Sequence, residues 1–186
     1  MVPFRNDASE VVLNNLEQVS KIAETKGATI TDIPSSTSFE KLADIQTVIM
    51  LGDAGKALEW EYEFHPERLI QFYKDSIATG QTISTKGLAA MKSKADAARE
   101  KYMELFEKID IILTLSSGDE APKGLGFTGD PLFNRVWTLL GWPCVNIPFG
   151  KGSNELPLGV QVIGPTGSDS KTLAAAAWLE SALLQK

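Results

Sequence analysis

The chain has 186 residues, 43% hydrophobic and 23% charged, which is ordinary for a globular domain long enough to bury a core. Its net charge of −6 argues against a protein that binds nucleic acid or an anionic membrane surface. No apolar run reaches the roughly 20 residues of a membrane-spanning helix. Because Cys144 is the only cysteine and no apolar signal core precedes residue 10, we expect a cytoplasmic protein without disulfides.

The first predicted elements are a helix and a short strand. Residues 7–26 place Val12, Leu16 and Val19 on one helical stripe, and Gly27 suits the position just after the helix. Residues 28–33 alternate threonine with small or apolar residues and end at a proline, which predicts a strand with one polar face.

Helical spacing of apolar residues continues through the middle of the chain. It predicts several helices between residues 37 and 108, with a weak or kinked point at Gly52 and Gly55. Ser84 or Thr85 is expected to cap the last of them. Residues 109–115 are almost continuously apolar and predict a buried strand.

The C-terminal third carries the clearest pattern. Residues 131–140 predict a short helix that Gly141 and Pro143 end. Two β-branched runs, 144–147 and 158–163, predict strands joined by a polar connection, and residues 168–186 predict a final helix. The whole chain, 1–186, is therefore expected to be a single α/β domain with about four strands covered by helices.

Two glycine-rich segments resemble phosphate-binding loops only superficially. Gly124–Gly129 matches the dinucleotide pattern, but a polar segment separates it from the preceding strand, and no acid follows about 20 residues later. Residues 164–172 lack the glycine required just before Lys171. We therefore predict no cofactor.

Other candidates for chemistry are isolated. Ser116 and Ser117 follow a strand, but Asp119 next to them would repel a developing oxyanion, and the chain has no G-x-S-x-G elbow. His65 is the only histidine, and with Cys144 it leaves too few ligands for zinc. Cys144 itself is expected to be a buried small hydrophobe. No catalytic residue and no metal ligand is assigned.

The predicted helix 131–140 is the best candidate for a ligand site. Asp130 and Asn134 are polar residues among the aromatic Phe133 and Trp137. Core packing alone would explain the aromatics. Alternatively, the four residues form a pocket wall in which aromatic faces bury a substrate while a carboxylate or amide orients it.

A long ordered pattern resembles the C-terminal part of the amidase signature family, enzymes that hydrolyse carboxamides. It reads AP-x-GLG-x-TGDP-x-FNR-x-WTLLG-x-P, then PCVNIPFG, then LP-x-GVQVIG, and ends with Asp169 opening the last helix. The resemblance implies a large mixed sheet covered by helices, and it implies that helix 131–140 borders the acyl pocket. At one point the pattern departs, because Leu115 follows Thr114 where the family has proline.

The resemblance also implies a catalytic lysine, a bridging serine and a nucleophilic serine in a Gly/Ser-rich segment. None of these three can be matched to a residue of this chain, so we expect the catalytic half of the family to lie outside residues 1–186. The chain is then the C-terminal segment of an amidase-like hydrolase, inactive alone.

Two alternatives stay open. One is a non-catalytic module that binds a small acyl or amide ligand, or a complementary protein chain. The other is an independent hydrolase using Ser116 or Ser117 with His65. Because strands facing an absent half leave open edges, we also expect self-association or pairing with a complementary amidase segment, and no nucleic-acid or membrane partner.

Overall fold

A computed structural model describes residues 1–185 of the chain as a helix-rich α/β structure. The α-helices are α1 (Glu10–Thr25), α2 (Thr37–Glu40), α3 (Leu42–Ala57), α4 (Glu59–Phe64), α5 (Gln71–Gln81), α6 (Thr85–Met103), α7 (Leu132–Leu140) and α8 (Asp169–Leu184). Short 3-10 turns span Arg5–Asp7, Pro66–Arg68 and Glu104–Glu107. The strands are β1 (Ile112–Leu115), β2 (Cys144–Lys151) and β3 (Pro157–Ile163). The predicted α/β class is confirmed; the predicted helix end at residue 186 lies outside the described residues.

The strands form one antiparallel sheet in the order β1-β3-β2. In the centre, Val160 of β3 lies opposite Leu115 of β1 and Ile147 of β2. The expectation of about four strands in a mixed sheet is therefore wrong for this chain. The missing strand is 28–33, which has no regular secondary structure. Its alternating pattern sets which side chains share a face, but a strand also needs a neighbouring backbone to pair with.

Each face of the sheet carries its own apolar core. On one face Val160 and Val162 pack with α1 and α8, in a cluster that includes Val19 and Leu179. On the other face Ile163 packs with α7 and with the helices before β1. Fully burying an aliphatic side chain stabilises the folded state by about 1.5–3 kcal/mol. Because β3 has buried residues on both faces, it contacts and stabilises the helices on both sides of the sheet.

Helices α3 and α5 approach so closely that only glycine fits between them. A Cβ at Gly80 of α5 would overlap the carbonyl oxygen of Leu51 and lie 2.8 Å from its carbon, and one at Gly55 would lie 2.8 Å from the Gly80 carbon. α3 runs unbroken through Gly52 and Gly55, so the predicted weak point there is wrong. These glycines allow close packing, a role that helix propensity alone does not reveal.

Two further predictions concern helix ends and membranes. The Ser84 side chain accepts a hydrogen bond from the Gly87 N–H at 3.1 Å, which confirms the predicted cap of α6. Within residues 1–185, no helix combines the length and apolar character required to cross a bilayer.

The contact between α3 and α5 predicts the effect of adding one methyl group. Gly80→Ala should lower the free energy of unfolding by about 1–3 kcal/mol, the usual cost of overpacking, measured by urea denaturation. Alanine favours a helix over glycine by about 1 kcal/mol, so a net loss identifies the overlap as the cause. Gly126→Ala is the control, because a Cβ there meets nothing within 4 Å, and its change should stay within about 0.5 kcal/mol. Equal stability of the two variants would contradict the close contact.

Candidate functional site

Helix α7 is fixed at its C-terminal end by backbone hydrogen bonds. Gly141 follows it in the left-handed conformation, with φ 67°. The Gly141 N–H donates to the Thr138 carbonyl at 3.3 Å, and the Trp142 N–H donates to the Trp137 carbonyl at 3.2 Å. This pair of bonds is a Schellman motif. The predicted helix 131–140 and its glycine stop are thus confirmed.

The N-terminal end of α7 is held by Asp130. Its Oδ1 accepts a hydrogen bond from the Leu132 N–H at 2.9 Å, and the same oxygen lies 3.5 Å from Nη2 of Arg135. Asp130 is exposed, so its ion pair with Arg135 contributes little to stability. Its carboxylate satisfies one of the free N–H groups at the start of the helix.

The two predicted aromatic residues lie in the core. Trp137 is 1% exposed, packs against Phe39 with ring centroids 5.5 Å apart, and stacks on Trp142 at 5.9 Å. Phe133 is 4% exposed and meets Phe4 edge-on at 6.2 Å. The rings belong to different apolar clusters on the two faces of the sheet. Both rings are therefore covered by other parts of the described chain.

Asn134, the fourth predicted residue, is exposed and anchors α7 to the end of β1. Its Nδ2 donates to the carbonyl of Ser116 at 3.2 Å. Next to this contact, in the protein interior, the amide of Gln161 donates hydrogen bonds to the Leu115 carbonyl at 2.9 Å and to the Phe133 carbonyl at 3.5 Å. We call this meeting point of Ser116, Asn134 and Gln161 the β1–α7 junction. The four predicted residues thus divide into an exposed polar pair and a buried aromatic pair, and their role as a pocket wall remains a prediction.

Sequence reasoning missed Gln161 and its row of polar neighbours. The strand register aligns Thr114, Gln161 and Asn146 across the sheet. Thr114 is 1% exposed and Gln161 3%, whereas Asn146 is exposed. The sequence did contain one sign of this group, because Gln161 is the only polar side chain within the apolar run 158–163. A polar side chain buried in such a strand needs a hydrogen-bonding partner, which indicates a specific contact.

Two of the side chains considered for nucleophilic catalysis, Ser117 and His65, contact other groups. The Ser117 hydroxyl donates to the Asp119 carbonyl at 2.7 Å. His65 lies against Trp60, with ring centroids 4.8 Å apart, and its Nδ1 is 3.7 Å from Oε1 of Glu67. No hydrogen bond within residues 1–185 joins this histidine to a serine. The described residues therefore show no hydrogen bond between the serine and the histidine that the independent-hydrolase alternative would require.

Cys144 is exposed on the outer strand β2, so the prediction of a buried residue is wrong. Its run of β-branched neighbours suggested a strand buried on both faces, but β2 lies at the sheet edge and Ile147 is its one buried residue. The thiol still lies against protein and donates to the Trp142 carbonyl at 3.4 Å. Partial burial raises the thiol pKa to about 11. The sulfur is therefore protonated and weakly nucleophilic at neutral pH.

The glycine-rich loop before α7 lies open to solvent. Gly124 and Gly129 have φ near 100°, which favours glycine, and Leu125 and Phe127 between them are exposed. Glu120 ties the start of this loop to the β2–β3 hairpin by accepting hydrogen bonds from the N–H groups of Asn154 at 2.9 Å and Leu156 at 3.3 Å. In the part of the chain that the structure describes, no group of three or more His, Cys, Asp and Glu side chains could hold a metal.

Sequence comparison finds amidases. The chain is 27% identical over 118 residues to a putative amidase, AmiA2, of Mycobacterium tuberculosis, covering 57% of this chain and 24% of that protein. It is 29% identical over 119 residues to a fatty acid amide hydrolase of Medicago truncatula, covering 58% of this chain and 20% of the relative. The chain thus matches about a quarter or less of these relatives' length.

Structural comparison extends the likeness to almost the whole chain. A crystal structure of an amidase superposes with a TM-score of 0.88 at 22% identity, covering 98% of this chain and 45% of that one. The structure of a fatty acid amide hydrolase superposes with a TM-score of 0.78 at 17% identity, covering 98% and 39%. At these identities the likeness shows a shared fold. The family model described as Amidase matches residues 3–173, which is most of the sequence, and the chain therefore belongs to the amidase family.

Proposed function

We propose that this chain is the C-terminal segment of a hydrolase that cleaves carbon–nitrogen bonds of carboxamides, and that it is inactive alone. The observation that carries the proposal is the superposition of 98% of the chain on 45% of an amidase. The chain then supplies the wall of a substrate site, while the reacting groups come from the part of the fold that it does not match.

The proposed wall is built around the β1–α7 junction. Asn134 of the junction and Asp130 before α7 are both exposed, so an amide and a carboxylate are available to orient a small amide or acyl group. Phe133 and Trp137 lie beneath them and hold α7 in place from the two apolar cores. In this role the aromatics position the polar pair and do not touch the ligand.

The hydrogen bonds of the chain favour this role over an independent hydrolase. A serine nucleophile needs a base within hydrogen-bond reach, whereas the Ser117 hydroxyl donates to a backbone carbonyl and the His65 ring lies beside Glu67. Cys144 has a thiol pKa of about 11, so little thiolate forms at neutral pH. We further propose a cytoplasmic location, because a lone cysteine suits a reducing compartment.

A non-catalytic binding module is the second candidate. The exposed Leu125 and Phe127 of the glycine-rich loop favour it, because large apolar side chains in solvent mark surfaces that bind ligands or partners. The two candidates differ in whether reacting groups are supplied from elsewhere.

The first test measures the purified chain alone. Incubated with an anilide, a primary aliphatic amide and a fatty acid amide, it should release no product above the buffer blank, because its hydroxyls and thiol are not activated. Urea denaturation of the same sample verifies that the chain is folded. Turnover that the Ser116→Ala/Ser117→Ala double variant abolishes would overturn the proposal and support an independent hydrolase.

The second test examines the gene. We expect coding sequence upstream of the Met1 codon, in frame or in a neighbouring open reading frame, to encode a Gly/Ser-rich segment and a lysine. Expressing that sequence together with this chain should give carboxamide turnover that neither part shows alone. Noncoding sequence there, with no such reading frame nearby, would contradict the C-terminal-segment proposal and leave the binding module.

A further inference from the structure

One cation beside the proposed wall has no close partner. Arg135 follows Asn134 on α7, and its side chain is 29% exposed. Its Nη1 donates to the Thr47 hydroxyl at 3.4 Å, and its Nη2 lies 3.5 Å from Oδ1 of Asp130. Hydrogen bonds between a guanidinium and a carboxylate normally span about 2.7–2.9 Å. Both contacts are therefore long, and no other hydrogen bond or ion pair of this guanidinium occurs within residues 1–185.

A second arginine, which contacts the other end of α7, shows what a fully engaged guanidinium looks like in this chain. The Nε of Arg99 donates to the Leu139 carbonyl at 3.0 Å, and its Nη1 donates to Oδ1 of Asp96 at 2.5 Å. Arg99 makes these short bonds although its side chain is 44% exposed. Arg135 is less exposed, yet most N–H donors of its planar fork have no acceptor among the described residues.

The charge around Arg135 favours an anion. Arg135 is the fourth residue of α7, near the positive end of the helix dipole, where a cation is unfavourable. The stability of the helix therefore does not explain its position. Asp130 offsets this charge only in part, because its side chain is 62% exposed and its Oδ1 also accepts the Leu132 N–H. A half-buried guanidinium with free donors matches the two oxygens of a carboxylate.

We propose that Arg135 is a specificity-determining residue of the wall, and that the substrate is a carboxamide that also carries a carboxylate. The guanidinium binds that carboxylate by two parallel hydrogen bonds, while Asn134 and Asp130 orient the amide end. The proposal rests on the proposed function for the amide part alone. A doubly charged phosphate is a poorer match, because Asp130 lies within 3.5 Å of the guanidinium and repels it more strongly.

Two ligands of the same carbon skeleton test the proposal on the chain itself. Succinamate carries one amide and one carboxylate, and succinamide replaces the carboxylate with a second, neutral amide. Binding is followed by NMR at the Asn134 side-chain amide and at Nε–H of Arg135, at constant ionic strength. Succinamate should bind about tenfold more tightly, since hydrogen bonds between charged groups are the stronger class. Inorganic phosphate, the third ligand, should bind more weakly than succinamate.

Variants assign the preference to one side chain. Arg135→Gln should abolish the preference for succinamate over succinamide, whereas Arg135→Lys should keep part of it, because lysine retains the charge without the planar fork. Arg99→Gln is the matched control and should retain the full preference, since the donors of Arg99 are already engaged. Asp130→Asn keeps an oxygen for the Leu132 N–H and removes the competing charge, so the preference should rise about twofold. Urea denaturation verifies that each variant is folded.

The proposal fails if succinamate does not bind, if both ligands bind equally, or if Arg99→Gln removes the preference as Arg135→Gln does. Tighter binding of phosphate than of succinamate would overturn it as well and assign the guanidinium to a phosphate-bearing ligand. None of these measurements involves amide cleavage. Absence of turnover with the preference intact therefore counts against the hydrolase, whereas turnover with equal binding counts against the role of Arg135.

Discussion

The pairing of β3 with both of its neighbours is the interaction on which the rest of the structure depends. β1 and β2 are joined through β3, each by an antiparallel ladder. Val160, Val162 and Ile163 are fully buried, with the valines in one apolar cluster and the isoleucine in the other. Since β3 supplies both the hydrogen bonds between strands and the contacts between layers, it positions α1, α7 and α8 relative to one another.

Burial on both faces imposes a requirement on the polar groups near β3. Gln161 sits between two buried valines at 3% exposure, where an unpaired amide would be destabilising. Its hydrogen bonds to the Leu115 and Phe133 carbonyls remove that penalty and hold the end of β1 beside α7. At the surface, the Asn134 side chain makes a similar contact by donating a hydrogen bond to the Ser116 carbonyl. The polar side chains of the junction therefore hold backbone in place.

The sequence predicted structural features correctly when they depend on residues close together in the chain, and less well when they depend on distant contacts. Helix α7 and its glycine stop follow from residues within a few positions of one another, and both were predicted correctly. The strand expected at 28–33 had the right alternation, but strand formation also requires a partner, which sequence periodicity does not supply. Gly52 and Gly55 look like weak points when judged by propensity alone. Their role in close packing becomes visible only in the folded chain, where Gly80 of α5 lies against Gly55 and Leu88 of α6 lies against Gly52.

The same distinction explains the mixed outcome at the candidate site. The spacing of Phe133 and Trp137 indicated a buried helical face, but not that β3 separates the two apolar cores to which they belong. Gln161 gave a signal as the one polar residue in a buried strand, yet its hydrogen-bond partners lie far away in sequence.

Two properties of the chain are best explained together. At one end of β1, the buried Gln161 and the exposed Asn134 hold β1 to α7 by hydrogen bonds. At the free side of β1, by contrast, no strand pairs with it among the described residues, and residues 29–35 make no backbone–backbone hydrogen bond there. Both properties agree with the proposal that the chain is one segment of a larger hydrolase.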